Sequence, residues 1–483
     1  MYTSTRSKMN VNASQAIING IAPDGGLYVP QQINKVELTE ILNFSYQELA
    51  IYILEKFLND FKHEEIVDIV NKAYDNKFLT KNVVEVKKCN DCYFLELFHG
   101  PTLAFKDVAL SILPLLMQKS KEINNVNEKT VILTATSGDT GSAALSGFYY
   151  SNNTDMVVFY PTEGISKIQE NQMLSFRSDR LHPIALKGNF DDAQSLVKKI
   201  FNDKKIKEYL KKKNIILSSA NSINIGRLIP QIVYYFYSYI DLYKKGDIKL
   251  NEKVNYVVPT GNFGNILACY IAKEMGLPVN RLICASNDNR VLTDFFKNKE
   301  YNKNREFFKT VSPSMDILIS SNLERLLFLI SKDDVKVNKL MNDLSNTGTY
   351  VLDKDFENKL DDFYADYADE SDTLEAIKKV WDKNSYLIDT HTAVGYSVYS
   401  KYLNETNDVT KTIIASTAHP YKFPKAICKA LDIAGDDDFE LIDKLIQKTN
   451  EKSDRINNLN NKFIKEIWSK EEAVDKLKEI FSE

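Results

Sequence analysis

At 483 residues the chain is too long for one small core, and two or three domains are expected. Its 62 Lys and Arg against 66 Asp and Glu leave a formal charge of −4, which excludes the general basic field that nucleic acid demands and favours a small-molecule or protein partner. The N-terminal MYTSTRSKMNVN lacks the apolar run of a signal peptide, and no stretch approaches the roughly 18 apolar residues that span a bilayer, so the chain reads as soluble, cytoplasmic and without a membrane partner.

Residues 1–85 form a first unit. APDGGLYVP at 22–30 is turn-rich, and YQELAIYILEKFLNDF and EEIVDIVNKAY read as amphipathic helices with no strand between them, so a mainly helical N-terminal subdomain is expected. Residues 86–436 then open on VVEVKKCNDCYFLELF, read as strand, turn and strand. Its Cys89 and Cys92 have no second CxxC or nearby histidines to complete a metal tetrahedron, and no helix N-terminus to activate a thiol, so no metal and no redox role is assigned. Next comes LFHGPTLAFKDVALSILPLLMQ at 97–118, where Thr102 can cap a helix running from Leu103 to Gln118.

Beyond residue 130, short apolar runs alternate with helix-length segments. TVILTAT, DMVVFYP, LHPIALKG, NIILSSA, NYVVPTG, RLICASN and TIIASTA read as strands buried on both faces, and DDAQSLVKKIFNDKKIKEYLKKK and IGRLIPQIVYYFYSYIDLYKK as the helices between. This rhythm is that of an α/β protein with mostly parallel sheets, whose ligands sit beyond the carboxyl ends of strands. Residues 291–385 are charged and mostly helical, with loops expected near NKNREF and ADESDT, and the 437–483 tail reads as solvated helices.

Four places could carry chemistry. Lys106 and Asp107 are the only charges between Leu103 and Gln118, in a helix apolar all round and so buried. A buried ammonium calls for a depressed pKa, an ion pair or conversion to an imine, unless the lysine reaches the surface from the first turn. Asp107 is a poor partner, since adjacent helical residues point about a hundred degrees apart. VVPTGNFGN at 257–265 runs a strand into a glycine turn and a helix, the form of a phosphate cup or of an ordinary tight loop. TATSGDTGSAAL at 134–145 offers Ser137, Asp139, Thr140 and Ser142 at a second strand-to-helix junction, as a carboxylate dock or simple N-caps. IIASTAHP at 413–420 sets Ser416, Thr417 and His419 at a strand end, where a hydroxyl could meet a heterocyclic nitrogen or only local backbone. Together they supply what pyridoxal 5′-phosphate needs: an amine, an anion cup, a ring-nitrogen partner and a substrate carboxylate dock.

In that order, YTSTR, APDGGLYVP, ELFHGPTLAFKD, TSGDTGSAA, SKIQENQM, SSANSINIGRLIPQ, PTGNFGN and STAHPYKFPKA resemble the threonine synthases, pyridoxal-phosphate enzymes of the tryptophan-synthase β-subunit fold type (fold type II), in their longer bacterial and fungal form. The resemblance covers nearly the whole chain. It implies two mostly parallel-sheet lobes, an imine at Lys106, a phosphate cup of Gly261, Asn262, Phe263, Gly264 and Asn265, and Thr417 on the pyridine nitrogen. It implies O-phospho-L-homoserine as substrate, its carboxylate at the Ser137, Asp139 and Thr140 turn, with Lys167, Asn171, Asn221 and Arg227 as candidates for its phosphate. His99 and His391 are further candidates for lining the site. The fold type usually carries an asparagine near the ring hydroxyl where this chain has Asp139. Two other readings stay open: another lyase or dehydratase acting on a hydroxy or phosphorylated amino acid, and a non-catalytic phosphate-binding homologue.

Overall fold

The computed structural model describes residues 1–151, 153–162, 165–357, 359–452, 454–460 and 463–481. Two sheets organise the chain. The larger has six strands in the order Phe363–Tyr367, Val279–Ser286, Val254–Pro259, Thr412–Ser416, Tyr93–Glu96 and Glu85–Lys88, all parallel except the last, which turns back as a hairpin partner. The smaller is wholly parallel: Ile467–Trp468, Leu181–Leu186, Thr154–Pro161, Lys129–Ala135 and Ile215–Ser218. Every strand run expected from the apolar pattern is present, because strands covered by helices on both faces gain by being apolar throughout.

The N-terminal region is mostly helical. A short antiparallel pair, Tyr2–Ser4 with Tyr28–Pro30, precedes the Tyr46–Glu55 and His63–Tyr74 helices. It is fastened to the rest by Arg6, which forks onto Glu324 with two contacts of 2.8 Å, and by the fully buried Arg325, whose Nε donates to the Tyr28 carbonyl at 2.9 Å.

Several expected elements differ. The stretch from Leu103 to Gln118 is not one helix: helices span Lys106–Leu110 and Leu113–Ile123, and Leu103 has a left-handed φ of 60°. The cause is Asp107, whose carboxylate accepts the Thr102 N–H at 2.8 Å and the Thr102 hydroxyl at 2.6 Å, curling residues 102–104 back over the helix start. Asp203 splits another expected helix, ending Phe190–Asn202 and capping Lys204–Lys212 through the amides of Lys205 and Ile206. Pro230 opens the Pro230–Lys244 helix separately from Ile225–Leu228, since proline has no N–H to carry the ladder through. ADESDT is a helix start rather than a loop: Asp369 caps Glu370–Asn384. The tail is not only solvated helix, for Ile467–Trp468 adds an edge strand to the smaller sheet and Trp468 is 1% exposed. Among the described residues, no helix is long and apolar enough to cross a membrane.

Candidate active site

Three neighbouring parallel strands, Val254–Pro259, Thr412–Ser416 and Tyr93–Glu96, end on the same side of the larger sheet, and each hands the chain to one candidate segment. The first leads into Gly261–Asn265. The second delivers Thr417. The third leads, through residues 97–105, to Lys106. Backbone pairing finishes the alignment: Phe105 N–H donates to the Thr417 carbonyl at 2.8 Å, His419 N–H to the Leu103 carbonyl at 3.0 Å, and Ala104 bridges Ala418. Lys106 and Thr417 are therefore held beside one another by the main chain.

Lys106 is 9% exposed. Its Nζ donates to Ser314 Oγ at 3.2 Å and lies 3.8 Å from Asp139 Oδ2. Burial is the main force drawing its pKa down, to about 8; Asp139 opposes that shift, while Lys422 and Arg227 reinforce it. The amine thus exchanges its proton far nearer neutrality than an exposed lysine.

Asp139 begins the Asp139–Phe148 helix, delivered by the end of the smaller sheet's Lys129–Ala135 strand. Gly138, at φ 131°, makes the turn; a Cβ there would lie 2.6 Å from Gln169 Nε2. Burial alone would raise the Asp139 pKa, but Lys422, Lys106 and His391, with the Gln169 hydrogen bond, hold it well below the usual carboxylate range. Lys422 Nζ reaches Asp139 Oδ1 at 2.9 Å and donates to the Thr102 carbonyl at 2.7 Å, and Gln169 Nε2 donates to the same carboxylate oxygen at 2.9 Å.

The Gly261–Asn265 loop is braced from outside. Ser320 Oγ donates to the Gly261 carbonyl at 2.7 Å, and the Asn322 side-chain and backbone N–H groups reach the Asn262 carbonyl at 2.9 and 3.1 Å. Phe263 adopts a left-handed φ of 61° as the cap of the Gly264–Glu274 helix, and its ring is buried against Phe296 and Phe363. The Asn265 amide is also turned inward, its Oδ1 accepting from the hydroxyls of Tyr234 and Tyr235. What these residues offer a ligand is main chain: the first N–H groups of a helix have no intrahelical acceptor, and its dipole favours an anion there.

The remaining sequence candidates divide. Ser137 and Thr140 flank Asp139, half-buried in the same turn. Arg227 is 4% exposed; its Nη1 donates to the Ala220 carbonyl at 2.8 Å, its Nε has no partner, and burial draws its pKa to about 10. Asn221 Oδ1 accepts from the Thr134 hydroxyl at 2.9 Å. Lys167 and Asn171 do not join Lys106: Lys167 Nζ pairs with Asp437 at 2.6 Å, its side chain 61% exposed, and Asn171 Nδ2 donates to the Leu459 carbonyl at 2.8 Å. The inward face of that helix belongs instead to Gln169 and Gln172. His99 pairs with Glu96. His391 does reach the site, its Nε2 accepting the Ser314 N–H at 3.1 Å while Nδ1 donates to Asp389 at 2.9 Å.

Sequence reasoning missed Lys422, Ser314 and Gln169. Lys422 stood between Tyr421 and Phe423, and the argument applied to Lys106 would have found it. Ser314 sits on an irregular loop fixed by Asn287, Thr310 and Asp316, whose side chains bond one another at 2.8–2.9 Å, and no local pattern announces it.

The geometry matches known proteins along the chain. A model described as threonine synthase N terminus matches residues 1–74, one described as pyridoxal-phosphate dependent enzyme matches 81–417, and one described as threonine synthase, C-terminal, matches 392–470. The threonine synthase of Saccharomyces cerevisiae is 37% identical over 467 residues, covering 89% of each chain. This chain belongs to the threonine synthase family. The pyridoxal-phosphate-bound threonine synthase of Brucella melitensis superimposes with a TM-score of 0.87 at 33% identity, covering 100% of this chain and 99% of that one. The human threonine synthase-like 1 is 39% identical over 436 residues, 87% of this chain, but the chain spans only 58% of that protein's length.

The fold is thus that of fold type II pyridoxal-phosphate enzymes, and pyridoxal phosphate is the cofactor. The residues present suit it. There is one buried amine with a lowered pKa, a braced loop in which a Cβ on Gly261 would lie 2.9 Å from the Ser314 carbonyl, a helix start, and neutral hydroxyls at Ser416 and Thr417.

Proposed function

We propose that the chain converts O-phospho-L-homoserine and water to L-threonine and inorganic phosphate. The observation that carries this reading is the setting of Lys106: a buried amine, drawn down to about pH 8, held between Ser314 and Asp139 where the carboxyl ends of three strands converge.

Bound pyridoxal phosphate supplies an electron sink for the negative charge that develops at the substrate Cα. Lys106 would carry the cofactor and, once released by the substrate amine, take and return protons at Cα and Cβ; a pKa near the working pH suits both directions of transfer. Ser314 Oγ and Asp139 fix the position of Nζ. The main-chain N–H groups of Gly261, Asn262, Phe263, Gly264 and Asn265 would hold the cofactor phosphate. Thr417 would offer the ring nitrogen a neutral hydroxyl, which does not favour its protonation as a carboxylate would.

Asp139 is an anion already shared between two lysines, so it does not suit a substrate carboxylate; that dock falls to Ser137 and Thr140. For the leaving phosphate, Arg227 is the favoured group, with Asn221 beside it in sequence order, because the side chains of Lys167 and Asn171 are engaged with the C-terminal segment.

The test is incubation of the cofactor-loaded protein with O-phospho-L-homoserine. L-threonine and phosphate should appear in equal amounts. A keto acid and ammonia in place of threonine would make the chain a different lyase. With Lys106→Ala, the visible absorbance of the bound cofactor and threonine formation should vanish together; turnover at the native rate would refute the assignment.

A further inference from the structure

A second cavity, of about 370 Å3, opens outside the site just described. Its walls include Lys77 after the His63–Tyr74 helix, Ser111 at the break after Lys106–Leu110, Ser146 near the end of the Asp139–Phe148 helix, Ser175 and Arg455. It lies at the opposite end of the Asp139–Phe148 helix from Asp139.

The charge in this cavity is one-sided. Arg455 is half-buried and, among the described residues, donates to main-chain carbonyls, Nη1 to His99 at 3.3 Å and Nη2 to Lys77 at 2.6 Å. Lys77 is half-buried as well and, among the described residues, has no carboxylate in salt-bridge reach. Burial is the main force lowering the pKa of both cations, and the acids that act on them, Asp107 on Arg455 and Asp75 on Lys77, lie outside the lining. Asp107 is in any case committed to Thr102. Among the described residues no Asp or Glu lines the cavity, while three serines do.

Two partly desolvated cations without a counter-ion favour an anion, and serine hydroxyls suit its oxygens. The absence of any acid from the lining argues against a free amino acid, whose ammonium would have no acceptor of charge. We infer that this cavity binds a phosphate group, free or as a small phosphomonoester, between Lys77 and Arg455. The inference is independent of the reaction proposed above and concerns a site separate from Lys106.

The test is calorimetric titration of the cofactor-loaded protein with inorganic phosphate in a chloride buffer, with glycerol phosphate as the ester arm and L-threonine as the amino-acid arm. Phosphate should bind the native chain, and Arg455→Met and Lys77→Met should each weaken that binding about tenfold or more while leaving cofactor absorbance unchanged. Without any variant, phosphate should also protect Lys77 from acetylation, mapped by mass spectrometry. Equal phosphate affinity in the native chain and both variants, no protection of Lys77, or L-threonine binding tighter than phosphate at this site would each overturn the proposal.

Discussion

Lys422 Nζ lies 2.9 Å from Asp139 Oδ1, on the carboxylate oxygen opposite the one that faces Lys106 Nζ at 3.8 Å. One buried carboxylate is therefore shared by two buried lysines, one permanently engaged and one available for chemistry. The Lys422 side chain is 0% exposed and also ties the Thr102 carbonyl, so its charge is fixed in place.

Replacing Lys422 with Met removes one cation from this trio. Asp139 keeps a single lysine, Lys106, beside its hydrogen bonds from Gln169 and Ser314, and loss of one member of a buried ion pair costs about 3–5 kcal/mol, which denaturant unfolding should register. The amine of Lys106 loses a repelling neighbour and gains undivided attraction from Asp139, so its titration midpoint should move upward from about 8. The pH dependence of Lys106 labelling by trinitrobenzenesulfonate in cofactor-free protein measures this directly. An unmoved midpoint would show that Lys422 does not act on Lys106.

The lowered pKa of Lys106 has a stability consequence for the cofactor-free chain. Its folded value, about 8, lies below the unfolded value of 10.5, so between these pH values the unfolded chain binds more protons and stability rises with pH. Below pH 8 the full penalty of holding a charged amine in a buried place is present, on the order of 3 kcal/mol. Unfolding free energies of cofactor-free native protein and Lys106→Met should converge by that amount as pH rises from 8 to 10.5. Asp139 works at the other end of the scale. Its folded pKa is depressed, so its contribution is complete above pH 4 and is lost as the carboxylate is protonated in stronger acid. Parallel curves for the two proteins above pH 8 would count against the burial of Lys106.

Thr417 offers a cleaner separation of binding from folding. Its main chain accepts from Phe105 N–H and donates to Thr392 Oγ1 at 3.2 Å, and neither link needs its own side chain. Thr417→Val should leave thermal stability nearly unchanged and weaken cofactor binding about tenfold, the worth of one hydrogen bond in a desolvated site. Equilibrium dialysis of pyridoxal phosphate decides it, and equal affinity would remove the Thr417 hydroxyl from the site.

The apolar strands and their terminal turns were legible because buried parallel strands are unbroken apolar runs, and the glycines, serines and threonines that end them are conspicuous by contrast; the edge strands Phe363–Tyr367 and Ile467–Trp468 were not, since they lie in segments whose charge reads as helical. Tertiary choices were not legible. The helix expected over Leu103–Gln118 has the right composition, yet Asp107 bonds backward to Thr102 and delays its start until Lys106. In the Lys167–Ser175 helix the segment was found but its orientation was not: Gln169 and Gln172 face inward while Lys167 and Asn171 reach for the tail, a choice made by packing against Asp139 and Thr102 on one side and Asp437 and Leu459 on the other. Asp107, a poor partner for Lys106 by helix geometry, is instead tied to Thr102 and sets where the Lys106 helix begins.

Gly261 joins the two halves of the site. A Cβ added there would lie 2.9 Å from the Ser314 carbonyl oxygen and 3.3 Å from Met315 Cα, both backbone atoms, so the Pro313–Met315 turn would have to move. That turn is not free to yield, because Ser314 N–H donates to His391 Nε2 and the flanking loop is tied through Asn287 and Asp316. Ser314 Oγ is also the hydrogen-bond acceptor of Lys106 Nζ. Gly261→Ala should therefore act twice, displacing the loop proposed to hold the cofactor phosphate and disturbing the amine proposed to hold its aldehyde. The expected result is at least about tenfold weaker pyridoxal phosphate binding, with a shifted cofactor absorption maximum in whatever fraction loads. Gly264→Ala is the internal control, since a Cβ there meets its nearest neighbour, Asn322 Nδ2, only at 3.6 Å, an ordinary contact. Equal cofactor affinity in the two variants would mean that close approach at Gly261 plays no part in the site.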